Sequence, residues 1–251
     1  MKSAFVFFAL ALREMNRSRV PHSAAAFVVA LLVASLFAGN LSFESAPDVT
    51  LDFALTGSAL FSAAIAIVLG LEQSGGASAP RFQPFLAAGS SRTALLSGRL
   101  AAAYLAAVIF AMAPPLCLSL AFSSFSDSAT MLPDLRAACL LLPMESVLLV
   151  SVASFLAQSI ARPMALALTF AIWIACHLHP DPLTFEILYP GVSGRILQFA
   201  GGLMPDLEMY NPRIHDAGSP STIAAAILQC ALYSLPSLAA AILVFRRKDL
   251  P

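Results

Sequence analysis

Apolar runs of about twenty residues alternate along the chain with short polar stretches, which predicts helices able to cross a bilayer core roughly 30 Å thick. The runs lie at about 22–41, 53–71, 100–122, 137–160, 164–178 and 222–244. Ahead of them, Phe5, Phe8, Leu12 and Met15 recur at three- and four-residue spacing, while Arg13, Glu14, Asn16 and Arg17 gather at the end. This predicts an amphipathic interfacial helix over 3–17, with Glu14 pairing to Arg17 at i,i+3 and Pro21 closing the elbow into the first span. Pro114 and Pro115, adjacent inside the third run, predict a kink or break there.

The polar stretches differ in sign. Residues 72–99 carry Arg81, Arg92 and Arg99 against Glu72 alone, and enclose a short apolar-basic segment, Arg81-Phe82-Gln83-Pro84-Phe85-Leu86, between Ser-Gly and Gly-Ser-Ser. That reads as a brief amphipathic helix at the membrane face. The stretches 43–52 and 123–135 carry acids and no bases. The segment 181–221 is acidic too, and its apolar pieces, 183–192 and 196–203, are too short to span, as re-entrant or interfacial segments are.

Composition fixes the class. Of 251 residues, 59% are hydrophobic and 11% charged, and the mean hydropathy is +0.83; soluble domains are about 25% charged. The expected architecture is an all-α integral membrane protein with one domain over 1–251, six transmembrane helices, an interfacial N-terminal helix and short helices between spans five and six. Net charge is zero and suggests no nucleic-acid partner, but its distribution sets a topology. With both termini inside, eleven of the fourteen basic residues face the cytoplasm and only Arg136, Arg195 and Arg213 lie outside. By the positive-inside rule this predicts a multi-pass protein of the plasma (inner) membrane with cytoplasmic ends. The N-terminal apolar stretch is short and runs at once into Arg13, Arg17 and Arg19 and a full span, so no cleavage is expected. Cys117, Cys139, Cys176 and Cys230 lie in apolar runs without CxxC spacing and read as small buried hydrophobes.

Little catalytic chemistry is visible. The lysines are Lys2 and Lys248, so no phosphate-binding loop exists and any ATP must be bound by a partner. No serine lies in a nucleophile-elbow pattern. His177, His179 and Asp181 have a passing look of metal ligands, but alternate helical residues point apart, and no metal, cofactor or catalytic residue is expected. Glu145, in Leu142-Pro143-Met144-Glu145-Ser146, is the one acid well inside a predicted span. An intramembrane acid costs about 2.5 kcal/mol or more, so it either hydrogen-bonds a neighbouring helix or a carbonyl freed by Pro143, lines a substrate path, or carries a proton.

The order of parts resembles the type-2 ATP-binding-cassette permeases. An interfacial helix precedes the first span. The inner loop runs from an acid through a short hydrophobic helix to Ser91-Arg92 and Gly98-Arg99-Leu100. Leu203-Met204-Pro205-Asp206-Leu207 with Tyr210-Asn211 is similar to a family pattern before the last span, and the ending Phe245-Arg246-Arg247-Lys248-Asp249-Leu250 is similar to family endings. The family's Glu-x-x-x-Gly-Thr reads Glu72-Gln73-Ser74-Gly75-Gly76-Ala77-Ser78 here, a departure in the docking loop. The resemblance implies an exporter permease coupled to separate ATPase subunits through Arg81, Phe82, Gln83, Pro84, Phe85 and Arg92. It also implies a second permease subunit, identical or related, with membrane lipids as surroundings.

Two other functions fit a six-span chain. A proton-coupled secondary carrier would use Glu145 and need no ATPase. A non-transporting scaffold or assembly factor would bind a partner and move nothing.

Overall fold

Long apolar segments in lipid must satisfy their own backbone hydrogen bonds, and here they do so as helices. The structure, a computed structural model, describes residues 2–41, 46–74, 85, 91–123, 128–177, 204–213 and 219–247. Among them, seven α-helices occur: α1 (Lys2–Arg17), α2 (Val20–Leu41), α3 (Ala46–Ser74), α4 (Arg92–Phe122), α5 (Ser128–Ser159), α6 (Arg162–His177) and α7 (Pro220–Arg247). One 3-10 turn, Leu207–Tyr210, precedes α7, and no strand occurs among the described residues. Five helices, α2 to α5 and α7, are long and apolar enough to cross a membrane, which makes the chain a multi-pass α-helical membrane protein. The shorter α6 has 16 residues, about 24 Å at 1.5 Å per residue.

Several elements run further than the hydropathy pattern marks. α3 extends to Ser74 and α4 begins at Arg92, so both ends of the expected 72–99 loop are helical. Leu95, Leu96 and Arg99 explain the second extension, because all are buried in that first stretch of α4. α4 has 31 residues and continues through Pro114 and Pro115 instead of breaking. Its length, about 46 Å, exceeds the bilayer core. α5 starts at Ser128, inside the stretch expected to be a turn, and runs through Pro133 and Pro143.

The N-terminal helix also differs from its sequence pattern. Phe7, Ala11 and Met15, at i, i+4 and i+8, are its buried stripe, with Phe8 and Leu12 partly buried beside them, whereas Phe5 is exposed. The elbow after it is made by Ser18, which donates to the Met15 carbonyl at 2.6 Å and accepts from the Val20 amide at 3.3 Å. Pro21 instead lies in the first turn of α2, where a missing N–H costs nothing.

The bundle is centred on α5, which packs against α3, α4, α6 and α7, while α1 lies along the base of α4. Two close approaches depend on glycine. A Cβ on Gly70 of α3 would lie 2.8 Å from the Ala153 Cβ and 2.9 Å from the Val150 carbonyl oxygen on α5. A Cβ on Gly98 of α4 would strike the Ala4 carbonyl and lie 2.9 Å from the Phe7 Cβ on α1. Four buried hydroxyls are satisfied within their own helices: Ser35, Ser58, Ser62 and Thr169 each donate to the carbonyl four residues back at 2.6–2.7 Å.

Candidate functional site

Two polar constellations stand out from this apolar bundle, one at each end. The first surrounds a cavity of about 230 Å³ between α3, α5, α6 and residues 210–213. Leu55, Thr56, Ala59 and Leu60 of α3 and Ala138 and Leu142 of α5 form its largely apolar wall. Glu145, Trp173 and His177 form a polar group against that wall.

Glu145 is 2% exposed, so its carboxyl depends on local partners. The Trp173 indole N–H donates to its Oε1 at 2.7 Å, and His177 Nε2 lies 3.7 Å from the same oxygen. Trp173 and His177 share a helix face because they are four residues apart, and their ring centroids are 4.7 Å apart. Of the roles that the sequence left open for Glu145, hydrogen bonding to a neighbouring helix is the one seen, and the same residue also lines the cavity.

Arg213 closes the mouth. Its guanidinium reaches Asp48 at 3.3 Å and Asp52, both on α3, and Asp134 of α5 at 3.9 Å. The sequence assigned these four residues to three separate external stretches, and the fold gathers them at one end. The intervening residues hold Arg213 in place. Asp206 caps the 3-10 turn by accepting from the Glu208 amide at 3.0 Å, and Asn211 Oδ1 accepts from the Arg213 amide at 3.1 Å. Tyr210, 1% exposed, donates its hydroxyl to the Ala226 carbonyl of α7 at 3.3 Å. Burial holds that hydroxyl well above the ordinary phenol range.

The opposite end joins α1 to α4. Arg99, 1% exposed, donates from Nη2 to Glu14 Oε2 at 2.6 Å, which displaces the expected Glu14–Arg17 pair. Nearby, Phe85 meets Phe7 edge-on with ring centroids 5.6 Å apart and packs with Leu95. Arg92 opens α4 and lines a shallow recess with Ser91, Thr93 and Arg246. On the adjoining helix pair, Gln158 of α5 donates to the Ser74 carbonyl of α3 at 2.6 Å. Arg81, Phe82, Gln83 and Pro84 lie outside the described residues, as do His179 and Asp181. Among the described residues, no group of three or more His, Cys, Asp or Glu is placed to hold a metal ion.

Sequence reasoning missed Trp173, Arg213 and the burial of Arg99. The single tryptophan of the chain, four residues before a histidine at a helix end, was the available signal for the first. No protein-family model matches the chain, and no curated protein matches it.

Proposed function

We propose that the chain is the membrane-spanning permease subunit of an ATP-binding-cassette exporter of type 2. In this reading α2 to α7 are six spans with both termini cytoplasmic, in the plasma (inner) membrane, and two such subunits, identical or related, flank the substrate route. A separate ATPase docks on the 72–99 loop, with Arg81, Phe82, Gln83, Pro84, Phe85 and Arg92 as its contact. Closure of the ATPase on nucleotide pushes the loop, and the spans rock because nucleotide binds the two states with different affinity.

The observation that carries this reading is the junction of α1 and α4. Phe85 seats on Phe7, and Arg99 pairs with Glu14 about two turns further along α1. A force on the loop therefore enters α4 and the interfacial helix together, and α4 is long enough to relay it through the bilayer. The separation of Glu14 and Arg99 at one end from Asp48, Asp52, Asp134 and Arg213 at the other supports the alternating topology.

The test is co-purification with an ATP-binding-cassette ATPase encoded beside this chain. Stoichiometric binding that Phe82→Asp abolishes is expected. Substrate transport by purified protein lacking any ATPase would overturn the reading.

One observation favours a second reading. Glu145, in contact with His177 and lining a cavity, is placed as a proton site in a secondary carrier would be. That carrier would transport under a pH gradient alone and stop on Glu145→Gln.

A further inference from the structure

The cavity walled by α3 and α5 combines three features. It is mostly apolar, it contains one carboxyl group nine-tenths or more buried, and, among the described residues, its mouth has more acids than bases. At about 230 Å³ it is smaller than the roughly 300–1,000 Å³ typical of drug-sized ligands, so its occupant is compact. Among the described residues, Asp48, Asp52 and Asp134 oppose a single guanidinium at the entrance, and Glu145 adds a fourth acid inside. An anion would meet four carboxylates and an arginine already engaged by three of them. A cation meets a counter-ion and two aromatic rings, Trp173 and Tyr210, whose π-faces attract ammonium groups.

We propose that this cavity is a binding site for a small organic cation, an amine or quaternary ammonium with an apolar body, with Glu145 as its counter-ion. The apolar body lies against Leu55, Ala59 and Leu142, and the excess acid at the mouth concentrates cations before entry.

Hydrogen-bond geometry leaves the Glu145 carboxyl open to a ligand. His177 Nδ1 lies 3.1 Å from the Trp173 carbonyl, which can only accept, so Nδ1 carries hydrogen. Nε2 is then the ring nitrogen nearest Glu145 Oε1, at 3.7 Å, too far for a hydrogen bond. Trp173 is then the hydrogen-bond donor seen on Glu145, and the carboxyl can still face a bound cation. Among the described residues, the other titratable or charged groups around Glu145 and His177 are Asp52 on α3, Asp134 on α5, Tyr210 and Arg213 of the 204–213 segment, and Cys230 of α7, whose thiol donates to the Met144 carbonyl at 3.4 Å. None of these bonds Glu145 directly among the contacts described.

The inference rests on the permease proposal for what becomes of the ligand after binding, and binding itself is measured on the full chain in lipid nanodiscs with no ATPase present. Titration calorimetry with benzyltrimethylammonium is expected to show saturable binding that weakens as pH falls. Glu145→Gln keeps an acceptor for Trp173 and removes the charge, and should weaken binding roughly tenfold or more. Thr56→Trp, at an exposed position of the cavity wall, should block binding while leaving every charged residue in place. Equal binding by Glu145→Gln or by Thr56→Trp, full competition by the uncharged isostere neopentylbenzene, or no saturable binding by the native chain would each overturn the proposal. Cation binding by a chain that recruits no ATPase would leave this site standing and remove the permease reading. An ATPase complex without cation binding would do the reverse.

Discussion

Arg99 and Glu14, separated by 85 positions, meet through a 2.6 Å ion pair that fastens the base of α4 to the N-terminal helix. The two partners sit in unequal surroundings. The guanidinium is 1% exposed and the carboxylate 43%. Replacing Arg99 with Met removes the buried charge and leaves Glu14 half in water. Replacing Glu14 with Ala leaves the cation buried with that partner gone. Glu14→Ala is therefore expected to cost more, about 1–3 kcal/mol, less than the 3–5 kcal/mol of a fully enclosed pair because water screens the Glu14 side. Thermal unfolding of the purified protein in detergent measures the order. Arg99→Met as the more damaging change would show that the side chain acts by packing and not by charge.

Gly70 sets the distance between α3 and α5. Its absent Cβ would sit 2.8 Å from a side chain and 2.9 Å from a backbone oxygen, and a helix backbone cannot move aside alone. Gly70→Ala is expected to destabilise by about 1–3 kcal/mol through overpacking. Gly70→Leu should prevent recovery of folded protein. Because the Val150 carbonyl is part of the obstruction, adding Ala153→Gly to Gly70→Ala should restore only part of the loss. Full rescue would place the whole clash at the Ala153 methyl.

These relationships differ in how legible they were. Each apolar run expected to span lies inside an observed helix or matches one to within a residue, because bilayer thickness and backbone satisfaction leave helices few alternatives. Helix ends were less legible. Charge marks where a chain leaves lipid, not where its hydrogen bonding stops, so α4 extends back to Arg92 and α5 to Ser128 through residues that read as loop. Arg99 looked like one more cytoplasmic cation, since nothing in a one-dimensional pattern marks burial against a helix 85 residues earlier. The site was half visible. Glu145 stood out as an acid in an apolar run, and the Trp173–His177 spacing was there to see, but the link between them spans 28 positions and depends on how α5 and α6 cross.

That link supplies a prediction at Trp173. The indole N–H is the hydrogen-bond donor seen on Glu145, whose carboxyl is 2% exposed. Trp173→Phe preserves an aromatic ring and removes the donor, and should cost about 1–3 kcal/mol. Glu145→Gln retains an acceptor oxygen for the indole and should cost less. If the two variants unfold at the same temperature, the bond to Trp173 contributes nothing beyond ring packing.

The Arg213 clasp makes the last prediction, and it concerns access more than stability. Its pairs to Asp48, Asp52 and Asp134 lie at the bundle end, with side chains 30–72% exposed, so each contributes at most about 1 kcal/mol. Together they are the polar contacts that tie the end of the 204–213 segment to α3 and α5 across the cavity mouth. Tyr210 and Gln229 hold the other end of that segment to α7. Arg213→Ala should therefore leave the melting temperature nearly unchanged while the mouth loosens. A cysteine at Thr56, in a chain whose native cysteines are replaced, would then react faster with a water-soluble maleimide. Salt should mimic the mutation, because the screening length falls from about 8 Å at 0.15 M to about 3 Å at 1 M. Raising salt should speed labelling of the Arg213 form and leave the Arg213→Ala form unaffected. Equal labelling rates for both forms at low salt would mean that the clasp does not control the mouth, and that the segment is held by Tyr210 and its neighbours alone.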